Sequence, residues 1–127
     1  MAAQGRKNVH GKTGVRFKAG YTASKYKSML RNVVTDLIVN EEVKVTSGVT
    51  KDLKRVADRL VTLAKRGDLH ARRLAAETVR SDEALKKLFA EIGPRMASRK
   101  GGYTKSYKLG ERRGDSAEVT LVRWSDR

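Results

Sequence analysis

A chain of 127 residues with 39% hydrophobic content has room for one modest core, and nothing in its length asks for a second domain. Its formal net charge of +15, from 29 basic against 14 acidic residues, sets up self-repulsion in a compact monomer that a polyanionic partner relieves. With no cysteine, no apolar run long enough to span a membrane and no secretory core near the start, we expect neither disulfides, thiolate metal sites, membrane insertion nor export.

In chain order, the first twenty residues, MAAQGRKNVHGKTGVRFKAG, contain four glycines and no sustained period. They read as an extended basic arm, residues 1–20, carrying Arg6, Lys7, Lys12, Arg16 and Lys18, ahead of a single α/β domain over residues 21–127. The first carboxylate is Asp36, so the block up to Thr35 carries a bare +8, against +2 for Asp36 to Pro94 and +5 for the rest. From about Ala23 to Asn40, Leu30, Val33, Val34, Leu37 and Ile38 fall on one helical stripe, and Lys25, Lys27 and Arg31 share that helix. VKVTS, residues 43–47, alternates as a short strand before a turn at Gly48.

Thr50 is expected to cap a second helix, with Leu53, Val56, Ala57, Leu60 and Ala64 inward and a stop at Gly67 behind Lys65 and Arg66. Asp68 caps a third, burying Ala71, Leu74, Ala75 and Val79. Ser81 caps a fourth, with Leu85, Leu88, Phe89 and Ile92 inward, and Gly93-Pro94 ends it. Beyond Pro94 the period drops to two: Tyr103, Lys105, Tyr107 and Leu109 alternate with Thr104, Ser106 and Lys108, and AEVTLVRW supplies a partner strand. This is a C-terminal antiparallel hairpin, in which Leu109, Val119 and Leu121 are expected to point toward the helices.

Catalytic chemistry has little to stand on. His10 and His70 are far apart in the chain and lack a carboxylate or cysteine cluster, and Glu41-Glu42 at a helix end reads as a solvated or salt-bridged pair. GKTG at residues 11–14 lacks the strand and first glycine of a phosphate-binding loop. No cofactor, metal or small-molecule substrate is expected.

The stretch RKGGYTKSYKLGERRGD, residues 99–115, combines Arg99, Lys100, Lys105, Lys108, Arg112 and Arg113 with two tyrosines and paired glycines. Such cations neutralise phosphates, glycines let backbone approach them, and Tyr103 or Tyr107 can stack on unpaired bases or pack on the helix layer instead. Joined to the basic arm, this pattern points to a protein that becomes ordered on a folded RNA. The alternative polyanion is DNA, read by the helix LHARRLAAETVR, Leu69 to Arg80, with His70, Arg72, Arg73, Glu77 and Arg80.

Three segments, KAGYTASKYKSMLRNVVTDLIVNEEVKVT, LVTLAKRGDLHARRLAAETVR and ALKKLFAEIGPRMASRKGGYTKSYKLGERRGDSAEVTLV, resemble the bacterial-type large-subunit ribosomal protein seventeen family over about Lys18 to Val122. The most specific pieces are TLAKRGDLHARR and the glycine-glycine-tyrosine-threonine hairpin. The resemblance implies an α/β (α+β) fold, a two-layer domain of order α-β-α-α-α-β-β. It also implies a structural, non-enzymatic role in the large subunit of the cytoplasmic ribosome, as a monomer bound to large-subunit rRNA near the outer side of the peptide exit region, beside other ribosomal proteins. By the same resemblance Lys18, Lys25, Lys27, Arg31 and Arg95 fall in segments expected to meet RNA, as do Arg99, Lys100, Tyr103, Lys105, Arg112 and Arg113. About seventeen residues before Lys18 replace the family's short arginine-rich opening, and Tyr21 stands where an arginine is common.

Overall fold

A computed structural model describes residues 23–126, so the expected arm with Arg6, Lys7, Lys12, Arg16 and Lys18 lies outside the described residues. Helix α1 (Ala23–Asn40) buries Leu30, Val34, Leu37 and Ile38 of the predicted stripe and adds Tyr26, while Val33 is only partly buried. Strand β1 (Glu42–Thr46) follows after Glu41, which ends the helix in the left-handed region at φ 67 and donates its N–H to the Leu37 carbonyl at 2.8 Å. A side chain is strained there, and Arg95 holds the Glu41 carboxylate in place.

Helix α2 (Ser47–Arg66) begins without a turn. The expected turn at Gly48 and cap at Thr50 are therefore corrected: both residues lie inside the first turn of the helix. Ser47 explains the tight junction, because its hydroxyl hydrogen-bonds Thr120 Oγ1 at 2.9 Å and donates to the Glu118 carbonyl, pinning the start of α2 to the sheet. The other end follows the sequence rule, with Gly67 at φ 69 and its N–H on the Leu63 carbonyl. Asp68 then caps α3 (Leu69–Thr78), its Oδ1 accepting from the Ala71 N–H at 2.7 Å.

Ser81 caps the fourth helix, α4, by accepting from the Ala84 N–H. The expected clean stop at Gly93-Pro94 is also corrected. After Asp82–Lys87, α4 widens into a π turn over Leu88–Ile92 and resumes for Gly93–Arg95. Proline has no N–H to give the preceding turn, and the wider turn absorbs that loss while the Gly93 N–H reaches back to the Leu88 carbonyl. Gly93 is needed for a second reason: a Cβ there would lie 3.2 Å from both the Ala64 Cβ and the Ala64 carbonyl oxygen of α2.

Strands β2 (Thr104–Glu111) and β3 (Glu118–Trp124) form the hairpin, and β3 lies in the middle of a three-stranded antiparallel sheet of order β1-β3-β2. The helices cover one face, giving the expected two-layer α-β-α-α-α-β-β arrangement, with α2 touching all three strands. The face assignment of the hairpin is corrected. Thr120, Val122 and Trp124 are buried against the helices, so Val119 and Leu121, one residue out of step, lie on the outer face. Leu109 is half exposed at a bulge between Lys108 and Gly110. Burial of the Trp124 ring sets this parity, supported by Thr104, opposite it on β2, whose hydroxyl donates to Asp58 of α2 at 3.2 Å.

Candidate nucleic-acid interface

Most carboxylates of the described residues are already engaged. Arg95 donates to both oxygens of Asp126, at 2.7 and 2.9 Å, and to Glu41, which raises its own pKa and ties the end of β3 to the α1–β1 corner. Arg95 thus serves the fold, and its guanidinium is not free for RNA. Asp52, buried on α2, accepts from Tyr26 at 2.6 Å. Asp68 is held below the usual carboxyl range first by the Ala71 N–H and then by Arg66, while burial pushes the Asp58 carboxyl up against the opposing Thr104 bond.

The hairpin tip is a prebuilt loop. Arg112 clamps Asp115 through Nε and a terminal nitrogen, holding that carboxyl well below its ordinary range, and Asp115 also accepts from the Ala117 N–H at 3.1 Å. Gly114 at φ 99 makes the turn. Arg112 is therefore an organising residue at the tip, while its neighbour Arg113 is exposed and, among the described residues, has no ion-pair partner. Lys108 reaches Glu118 at 3.5 Å but stays mostly exposed, so the pair holds it weakly.

The two tyrosines of this stretch separate. Tyr103 is 4% exposed, and its hydroxyl takes a hydrogen bond from Lys65 Nζ at 3.0 Å. Its ring belongs to the core, so of the two alternatives for this residue the structure shows packing on the helix layer. Lys65 also donates to the Arg99 carbonyl, so the Arg99–Gly102 loop is tied to α2 while the Lys100 side chain is exposed. Tyr107 is 45% exposed on the outer sheet face, opposite Leu121, with Lys105 Nζ 5.8 Å from its ring centroid. That face also carries Lys44 and Arg123, so an aromatic ring stands among cations.

On the helical side, Lys25, Lys27 and Arg31 are exposed on α1 as expected. The sequence reading omits Arg55 and Arg59 of α2, which face Lys27 and Arg31 across a groove of about 330 Å³, floored by Leu30, Val56, Leu60, Leu63 and Leu74. Their spacing of four residues on one helix is a legible signal; their meeting with α1 is a tertiary fact. Helix α3 exposes His70, Arg72 and Arg73, the Arg72 guanidinium lying 5.3 Å from the Phe89 ring centroid, and Arg80 is exposed two residues beyond the helix end. Among the described residues no group of three or more His, Asp or Glu side chains is placed to hold a metal ion, and no helix is long and apolar enough to cross a membrane.

The sequence also matches known proteins. A family model described as ribosomal protein L17 matches residues 29–124, from α1 to the end of β3. The chain is 47% identical over 113 residues to the large ribosomal subunit protein bL17 of Shouchella clausii (strain KSM-K16), covering 83% of this chain and 94% of that protein. It is 48% identical over 110 residues to the large ribosomal subunit protein bL17 of Exiguobacterium sp. (strain ATCC BAA-1283 / AT1b), with the same coverage.

Proposed function

The chain belongs to the ribosomal protein L17 family, and from that premise we propose that it grips large-subunit rRNA with the unpaired cations of its surface. It is a structural constituent of the large ribosomal subunit and not an enzyme. The observation that carries the RNA reading is the one-sided pairing of charge. Most of the described carboxylates are engaged within the molecule, while Lys27, Arg31, Arg55, Arg59, Lys100 and Arg113 have no acidic partner among the described residues. Cations left open in this way release counterions from phosphates when RNA binds. Tyr107 offers an exposed ring to an unpaired base.

The arm, residues 1–20, adds Arg6, Lys7, Lys12, Arg16 and Lys18 without a single acid, and we assign it to a second RNA element beyond the reach of the folded domain, residues 21–127. The same reading seats the protein as a monomer near the outer side of the peptide exit region of the cytoplasmic ribosome, beside other large-subunit proteins. The alternative of a DNA reader on α3 gives way to family membership.

The test is a titration of the full chain with a transcript of the large-subunit rRNA across about 50 to 200 mM salt. If about six phosphates are neutralised, the log–log slope is roughly −4 to −5, and RNA wins over duplex DNA of equal length. A flat salt dependence, or equal binding to that DNA, overturns the proposal. Deleting Met1 to Phe17 should shorten the rRNA footprint; an unchanged footprint removes the arm from the interface.

A further inference from the structure

Resting on the rRNA reading above, we propose that the groove between α1, α2 and α3 seats one unstacked nucleotide of the bound RNA. Its phosphates lie on the two cationic rims and its base on the apolar floor.

Electrostatics supplies the first argument. Lys27 and Arg31 stand four residues apart on α1, and Arg55 and Arg59 do the same on α2. Like charges at that spacing destabilise a helix, and here two such pairs converge across one groove. None of the four is in an ion pair among the described residues. Nor can the arm neutralise them, because no Asp or Glu precedes Asp36. Against these four cations the groove itself holds a single carboxylate, Glu77, so the remaining compensating charge comes from another molecule.

The shape of the groove says which kind. Leu30, Leu60 and Leu63 belong to the core, and where Val56 and Leu74 are partly exposed beside them the groove has an apolar floor that the face of a nucleobase can cover. Glu77 of α3, the one carboxylate in the lining, and Thr78 beside it complete the wall. A carboxylate accepts hydrogen bonds only, so it suits the amino and imino N–H groups of a base edge and repels a phosphate back toward the rims.

The test uses the full chain and a labelled large-subunit rRNA transcript, with melting temperature recorded for every variant. Arg55→Gln/Arg59→Gln should flatten the salt slope by about two, one per cation removed. Val56→Phe leaves the charge unchanged but fills the floor, and should weaken binding roughly tenfold, as loss of one stacked base does, with the slope kept. Thiouridine-substituted RNA should cross-link the wild-type chain within residues 55–63, which needs no variant to fold. If the wild type binds and the hairpin variant Lys105→Gln/Arg113→Gln weakens it while both groove variants behave as wild type, the nucleotide seat is overturned and the rRNA reading stands. Weakening by the arginine variant alone, with Val56→Phe neutral and no cross-link, reduces the groove to a phosphate contact and also overturns the seat. No binding by the wild type sinks both.

Discussion

Replacing Tyr103 and Tyr107 one at a time separates fold from RNA contact. Tyr103 is 4% exposed and hydrogen-bonded to Lys65, while Tyr107 is 45% exposed on the open face of the sheet. Truncating a buried aromatic ring costs about 3–5 kcal/mol. At about 4 °C per kcal/mol for a domain near this size, Tyr103→Ala should lower the melting temperature by roughly 12–20 °C. Tyr103→Phe keeps the ring and loses only the hydroxyl contact, at about 0.5 kcal/mol, the low end for a hydrogen bond because Lys65 retains the Arg99 carbonyl and solvent. Tyr107→Ala should leave stability within about 0.5 kcal/mol of wild type, yet weaken RNA binding by about 1–3 kcal/mol if a base stacks on the ring. The assays are thermal unfolding by circular dichroism and an rRNA titration at fixed salt, run where every variant is folded. Loss of RNA affinity in Tyr103→Phe at unchanged stability, or a fall in melting temperature for Tyr107→Ala as large as that for Tyr103→Ala, would refute the assignment of the two faces.

Three further outcomes follow from the packing. Burial raises the Asp58 carboxyl above its ordinary 3.8, so the folded chain holds that proton more tightly than the unfolded chain, and stability falls as pH rises through the raised value. Asp58→Asn should therefore raise the melting temperature at about pH 7 and give no gain at about pH 3; a gain equal at both would contradict the cause. Gly93→Leu forces a side chain into the close contact with Ala64 and should cost about 1–3 kcal/mol or more by chemical denaturation. On β3, Leu121→Lys should be nearly silent whereas Val122→Lys should abolish cooperative unfolding, and the reverse order would reinstate the opposite face of the hairpin.

Local signals carry far in this sequence. The bounds of α1, the left-handed stop at Gly67, and the caps Asp68 and Ser81 follow from a few neighbouring residues each, because the hydrogen bonds that decide them span only three or four positions. The hairpin face does not. Both parities of AEVTLVRW carry apolar side chains, so period alone offers two answers, and the choice is made by Trp124 filling the core and by Thr104 meeting Asp58 on a distant helix. Gly93-Pro94 looks like a terminator because proline withholds its N–H, yet one π turn and a close helix contact carry the chain through. At the interface, charge density in the hairpin was readable, but which cations are consumed internally was not. Arg95 and Arg112 carry the same charge as Arg113, and only the folded positions of Glu41, Asp126 and Asp115 tell them apart. The pairing of Arg55 and Arg59 with α1 likewise needs two helices side by side.

The central place of β3 has a consequence for how the molecule comes into being. It is the last of the three strands in the chain, and both others hydrogen-bond to it rather than to each other. Ser47, where β1 hands over to α2, waits 71 residues for its partner Glu118. At about 5–20 residues per second that is roughly 4–14 s of synthesis during which β1 has no neighbour to pair with. The helices can collapse meanwhile on their own short-range contacts, but the sheet and the Trp124 plug close only when the final strand is made. A nascent chain stalled before Glu118 would thus present helices without a second layer, which makes the last step of its translation also the step that commits it to fold.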